Sequence, residues 1–170
     1  VKFMYSYSIP ENNYLNKPTD ESCYDYLKAS YRRISKELGE DYTAFVTPVG
    51  PVESETKISR LFADIEKMAS FLDSLGIKKG DVFTVFMPNC GHCFTAFYSL
   101  IKLGVIANFV HPLTPPAQLE EIMLHTKSKG LFILDLFAGA FTNIIDKYPA
   151  VVCSVSDFCD GVAYQYAKGN

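Results

Sequence analysis

The 170-residue sequence has no tryptophan, only three histidines and no glycine-rich loop. Gly76 and Gly80 are the closest pair of glycines, so neither G-x-G-x-x-G nor G-x-x-x-x-G-K-[ST] occurs and no self-contained cradle for nucleotide phosphates is encoded. Positive charge is also in slight deficit, 16 Lys and Arg against 19 Asp and Glu, for a net charge of -3. That leaves no electrostatic footprint for nucleic acid or anionic lipid, and neither is expected as a partner. Five cysteines are too few and too widely spread for a small disulfide-built scaffold, so buried thiols are expected. The first ten residues lack the continuous apolar segment and cleavage site of a secretory signal, which points to a cytoplasmic location. The opening residue is Val rather than Met, which fits a processed or trimmed product.

What is present is core: 48% hydrophobic and 14% aromatic residues against 21% charged, the composition of one globular domain. Charged residues concentrate before residue 86, so the second half reads as interior. Val82 to Ile101 carries no charge at all, but Pro88, Asn89, Gly91 and His92 interrupt it. A strand, turn and helix are expected there rather than a membrane span.

Residues 1–21 show no period and read as an extended leader, with a single α/β unit over 22–170. Ser22 is placed to cap a helix to about Leu38, with Tyr26, Leu27, Ser30, Tyr31, Ile34 and Leu38 as its apolar stripe and Gly39 as its stop. Tyr42 to Thr47 reads as a strand, followed by a turn over residues 48–51. From Lys57 to Leu75 the residues Ile58, Leu61, Phe62, Ile65, Met68, Ala69, Leu72 and Leu75 follow helical spacing, and Gly76-Ile77 has the form of a left-handed helix stop. Strands then alternate with helices: strand 82–87, helix 91–103, strand 105–110, helix 115–126 capped by Thr114, strand 131–134, helix 137–147 and strand 151–155. These strands are continuous apolar runs, which predicts a doubly wound, mostly parallel sheet with helices on both faces.

Candidate chemistry is sparse. Cys90-Gly91-His92-Cys93 follows an apolar strand and opens a helix, as a redox C-x-x-C does: the helix N-terminus favours a Cys90 thiolate and Cys93 can resolve a mixed disulfide. No Trp precedes the motif, and two thiols at a helix start are the plainer reading. Zinc on Cys90, His92 and Cys93 with Cys153 and Cys159 has one suggestive spacing and no second pair. His111 lies at the carboxyl end of a predicted strand without a paired nucleophile, and Asn89 is first of all a turn former. Glu120 and Glu121 read as a solvated helix face.

Taken in order, several segments resemble the N-terminal part of the adenylate-forming, or AMP-binding, superfamily of acyl- and aryl-CoA synthetases, luciferases and peptide-synthetase adenylation domains. Leu72-Asp73-Ser74-Leu75-Gly76-Ile77-Lys78-Lys79-Gly80-Asp81 is similar to the family's L-G-[IV]-x-x-G-D helix end. Val82 to Cys90, ending Met87-Pro88-Asn89-Cys90, is similar to its next strand and P-N turn. Ala96 to Asn108 resembles the A-x-x-K-x-G-A helix-to-strand joint, continued by His111-Pro112-Leu113 and the helix with Glu120. The likeness runs from about Ser22 to Asp135. It departs where the family has a capping box: Lys57, Ile58 and Arg60 stand there, leaving Thr56 or Ser54 to cap the long helix.

The resemblance implies a two-step reaction in the parent enzyme, in which a carboxylic acid and MgATP give an acyl-adenylate and pyrophosphate, and coenzyme A or another thiol then takes the acyl group. It also implies that the phosphate loop, the magnesium and acyl-pocket elements and the mobile C-terminal domain follow the region covered here. No catalytic, cofactor-binding or metal residue is therefore assigned, and the chain is expected to be an inactive N-terminal fragment whose partner is the remainder of its parent. Uncovered apolar surface predicts self-association. Two readings of other classes stand beside it: a thiol-disulfide oxidoreductase using Cys90 and Cys93, and a short noncatalytic interaction module.

Overall fold

A computed structural model describes residues 20–39, 41–49, 52–154 and 164–167. The expected leader up to residue 19, the tip of the expected turn at 50–51 and Cys159 lie outside the described residues.

The first helix, α1 (Cys23–Leu38), starts where its cap predicts: Ser22 Oγ accepts the Asp25 amide at 3.1 Å while its hydroxyl donates to the Asp25 carboxylate. The buried face differs from expectation. Tyr24, Leu27, Tyr31 and Ile34 turn inward, whereas Tyr26 and Leu38 are exposed, because the helical series that meets the body begins at Tyr24.

An antiparallel pair follows, β1 (Thr43–Val49) with β2 (Val52–Lys57), registered from Thr43 opposite Lys57 to Val49 opposite Val52. The second strand was not expected, since Val-Glu-Ser-Glu-Thr-Lys offers no apolar face. It passes without a loop into α2 (Ile58–Ser74), which buries Ile58, Leu61, Ile65, Met68, Ala69 and Leu72. The cap position falls on Lys57, whose side chain makes no cap bond, while Thr56 and Ser54, the residues expected to cap, lie in the β-ladder opposite Phe45 and Thr47. The free amides are satisfied from the segment before β1 instead: Ile58 N–H donates to the Tyr42 carbonyl at 3.0 Å, and Ser59 N–H to Asp41 Oδ1 at 3.1 Å. The Ser59 hydroxyl first, then this Ser59 amide bond and the nearby Lys57 charge, hold the Asp41 carboxyl below its usual range. The helix ends as predicted: Gly76 adopts φ +80°, its N–H reaches Asp73 O, and Ile77 N–H reaches Leu72 O.

The remaining strands are β3 (Val82–Phe86), β4 (Ile106–Phe109), β5 (Leu131–Leu134), β6 (Ala150–Cys153) and β7 (Tyr164–Ala167), in the spatial order β4-β3-β5-β6-β7. The first four are mutually parallel, and β7 runs antiparallel to β6. Helices α3 (Gly91–Leu103) and α4 (Pro116–Thr126) connect them much as expected. The α4 cap position is Pro115 rather than Thr114, and no side chain fills it.

The predicted helix 137–147 is broken into α5 (Asp135–Ala138) and α6 (Thr142–Ile145). Its joint is tightened by i to i+3 bonds, Ala140 N–H to Phe137 O and Phe141 N–H to Ala138 O. The break lets Phe141 and Ile144 both reach the sheet.

Side chains on the strands divide alternately between two cores. Phe83, Val85, Phe132, Leu134, Val151 and Cys153 pack against α2 and α3. Phe86, Leu131, Ile133 and Ala150 pack against α4, Phe141 and α6. This is the doubly wound arrangement that continuous apolar strands predict. The exception is β4, the sheet edge, where Ile106 is 55% and Phe109 53% exposed. Among the described residues no helix is long and apolar enough to cross a membrane.

Candidate functional site at the carboxyl edge of the sheet

In an open parallel sheet the crevice lies beyond the carboxyl ends of adjacent strands whose connections leave to opposite faces. Here those strands are β3, which leads into α3 on one face, and β5, which leads toward α6 on the other. The residues delivered there are the Met87-Pro88-Asn89-Cys90 turn, the first turn of α3, Asp135 after β5 and Ser154 after β6.

Hydrogen bonds tie three of these ends together. The buried His92 donates through Nε2–H to the Ser154 carbonyl at 2.9 Å. Ser154 Oγ donates to Asp135 Oδ2 at 3.1 Å, and Asp135 Oδ1 accepts the Leu136 amide at 2.7 Å. Because His92 addresses the carbonyl and not the hydroxyl of Ser154, this chain of bonds orients strand ends and does not activate a nucleophile.

The three described cysteines of the candidate cluster meet in the core beneath this edge: Cys90 at the start of α3, Cys93 one turn on, and Cys153 at the end of β6. Burial pushes all three thiols up, Cys93 to about 11, against two backbone amides that favour the Cys90 thiolate. They are held as protonated core thiols, the opposite of the depressed, accessible thiolate on which rapid disulfide exchange depends. Among the described residues no group of three or more His, Cys, Asp or Glu side chains converges to hold a metal ion, so the zinc reading finds no donor set there.

The other sequence candidates are dispersed. His111 lies on the far edge after β4, where Nδ1 accepts the Leu113 amide at 3.2 Å and closes a turn. Asn89 is exposed on the turn after β3. Glu120 departs from the solvated face expected of it: it is half-buried and pairs with Lys147 at 2.5 Å, joining α4 to the segment before β6. Glu121 is exposed. Sequence reading missed Asp135 and Ser154, although each directly follows an apolar strand, which is the signal that finds them.

The chain belongs to the AMP-binding enzyme family, whose model matches residues 36–163. It is 29% identical over 136 residues to a long-chain-fatty-acid–CoA ligase of Escherichia coli O6:H1, covering 78% of this chain and 22% of the relative. It is 30% identical over 105 residues to 4-coumarate–CoA ligase 1 of Solanum tuberosum, covering 58% of this chain and 19% of the relative. In three dimensions it resembles the anthranilate CoA ligase AuaEII, solved with anthranoyl-AMP, at a TM-score of 0.62 and 20% identity over 76% of this chain and 23% of that one. The chain thus spans about a fifth of the length of the curated relatives it matches.

Proposed function

We propose that this chain is the first β–α layer of the adenylating domain of an ATP-dependent acid–thiol ligase, an acyl- or aryl-CoA synthetase of the cytoplasm. The family match over residues 36–163 carries the reading, and relatives named for long-chain fatty acids and for 4-coumarate support the acyl and aryl alternatives. In the reaction, a carboxylate oxygen attacks the α-phosphorus of ATP and pyrophosphate leaves. A thiol such as that of coenzyme A then attacks the acyl carbon and AMP leaves.

This chain's own part is scaffolding. The buried apolar strands hold the carboxyl edge, and the His92–Ser154–Asp135 bonds fix its strand ends against one another. In this reading the magnesium that accompanies ATP is held by residues outside this chain, whose described residues contain no group of three or more His, Cys, Asp or Glu side chains placed to hold a metal ion. The sequence has no phosphate-loop glycine pattern, and the chain alone is inactive in this reading. Free thiols at Cys23, Cys90, Cys93 and Cys153 suit a reducing compartment.

The test compares the product of the uninterrupted gene with the 170-residue chain, by intact mass and by pyrophosphate release from ATP over a panel of carboxylic acids. The expected result is acid-dependent release by a product heavier than 19.0 kDa and none by the chain alone. Release by the chain alone overturns its inactivity. A full product of 19.0 kDa, or a longer one silent with every acid, overturns the ligase reading.

A further inference from the structure

The C-G-H-C motif is left over by the ligase reading, and its geometry has a use of its own. Cys93 N–H donates to the Cys90 carbonyl at 3.0 Å, closing a four-residue turn. Such a turn holds its end Cα atoms within about 7 Å, and a disulfide spans about 4.4–6.8 Å. Both side chains belong to the same buried cluster, so they face the same side of that turn.

The turn is also covered. A β-carbon built on Gly91 would lie 3.2 Å from Cε2 of Phe45, so the Phe45 ring of β1 rests on the backbone between the two cysteines. The same ring stacks on Phe94 with centroids 5.1 Å apart. Cys90 and Cys93 are 6% and 8% exposed on either side of this contact in sequence.

We propose that Cys90 and Cys93 form a slow, reversible disulfide that staples the β3–α3 turn, with the Phe45–Phe94 pair as the gate through which a low-molecular-weight disulfide reaches them. The Cys90 sulfur, losing its proton, attacks the external disulfide, whose S–S bond breaks and releases one thiol. Cys93, losing its proton in turn, attacks the Cys90 sulfur of the mixed disulfide and displaces the second thiol. The pair gives up two electrons and two protons, and the external disulfide is reduced to two thiols. The pair serves as a sensor and not as a turnover enzyme, because opening the aromatic cover limits the rate. Stapling fixes the turn that carries Asn89 and His92, and so stiffens the carboxyl edge whenever the compartment becomes oxidising.

The 170-residue chain, with Cys23→Ser to remove the exposed thiol, is incubated with oxidised glutathione, blocked with iodoacetamide and mapped by peptide mass. The expected product is folded by circular dichroism, lacks two hydrogens and links Cys90 to Cys93. Phe45→Ala speeds its formation by up to about tenfold, the weight of one aromatic pair. Four results overturn the proposal: both thiols remain blockable in the folded chain, the linkage joins either cysteine to Cys153 or Cys159, it forms only in denaturant, or Phe45→Ala leaves the rate unchanged. Each leaves the ligase reading untouched, since that reading assigns no role to these thiols.

Discussion

Two residues carry local conformations whose cost can be measured. Gly130 has no room for a side chain: a β-carbon would sit 2.4 Å from the Pro149 carbonyl oxygen and 2.7 Å from the Phe83 ring. That carbonyl accepts the Leu131 amide at the start of β5, so it cannot withdraw. Gly130→Ala is therefore expected to cost about 1–3 kcal/mol, read from chemical denaturation. Lys127 is the converse case. It ends α4 at φ +55°, with Lys127 N–H on Leu124 O and Ser128 N–H on Met123 O, the same stop that glycine makes after α2. Lys127→Gly relieves the left-handed strain and should raise stability by about 0.5–1 kcal/mol in the same assay. Beneath the sheet, Asn108 donates to Thr84, Thr84 can donate to Ser128, and Ser128 donates to the Gly130 carbonyl. Thr84→Val breaks this relay in a fully buried place and should cost about 1–3 kcal/mol.

At the scale of elements, α1 is docked by one polar cluster. The Tyr24 hydroxyl donates to Glu66 of α2, Lys102 of α3 pairs with the same carboxylate, and Lys102 lies 5.3 Å from the centre of the Tyr24 ring. Burial first, and the Glu66 carboxylate second, raise the Tyr24 phenol from 10.0 to about 12. The folded chain holds that proton more tightly than the unfolded one, so the contribution is complete below pH 10 and is lost as pH climbs toward 12. The Lys102 and Tyr24 bonds lower the Glu66 carboxyl from 4.5, so its contribution is present above that value and lost as pH falls. Amide protection in α1, corrected for the intrinsic pH dependence of exchange, should fall at both extremes, and Tyr24→Phe should abolish the alkaline limb and weaken the acid one, because it also removes one of the two bonds on Glu66. This cluster explains which part of α1 the sequence concealed. Helical spacing located the element, but a phenol that meets a carboxylate forty-two residues away decides which face is buried. The same limit hid β2, whose polar residues gain their partners from β1, and hid the joint in the predicted helix 137–147, where sheet contacts of Phe141 and Ile144 outweigh helical continuity. The β3, α3 and β5 segments were legible because their apolar runs are buried on both sides. Asp135 and Ser154 were not, since the bond between them exists only once β5 and β6 are adjacent, and the His92 bond to the Ser154 carbonyl only once α3 packs beside them.

For the whole molecule, the open side is β4. Val105 to Val110 has neither charge nor proline, Ile106 and Phe109 are exposed, and Phe97 bridges Phe109 to α3 beside the exposed Phe94. An unblunted edge of this kind pairs with another strand. We expect the chain to self-associate through it, giving a concentration-dependent sedimentation coefficient that Ile106→Lys returns to that of a monomer. A monomer at high concentration without the substitution would end that idea. The handover at the start of α2 has a consequence in time. Its amides are received by Asp41 and Tyr42, residues that a ribosome makes before any part of the helix. The acceptors are thus already outside the exit tunnel when Ile58 emerges, and the longest helix among the described residues can be closed at its first turn while the strands that will bury it are still being synthesised.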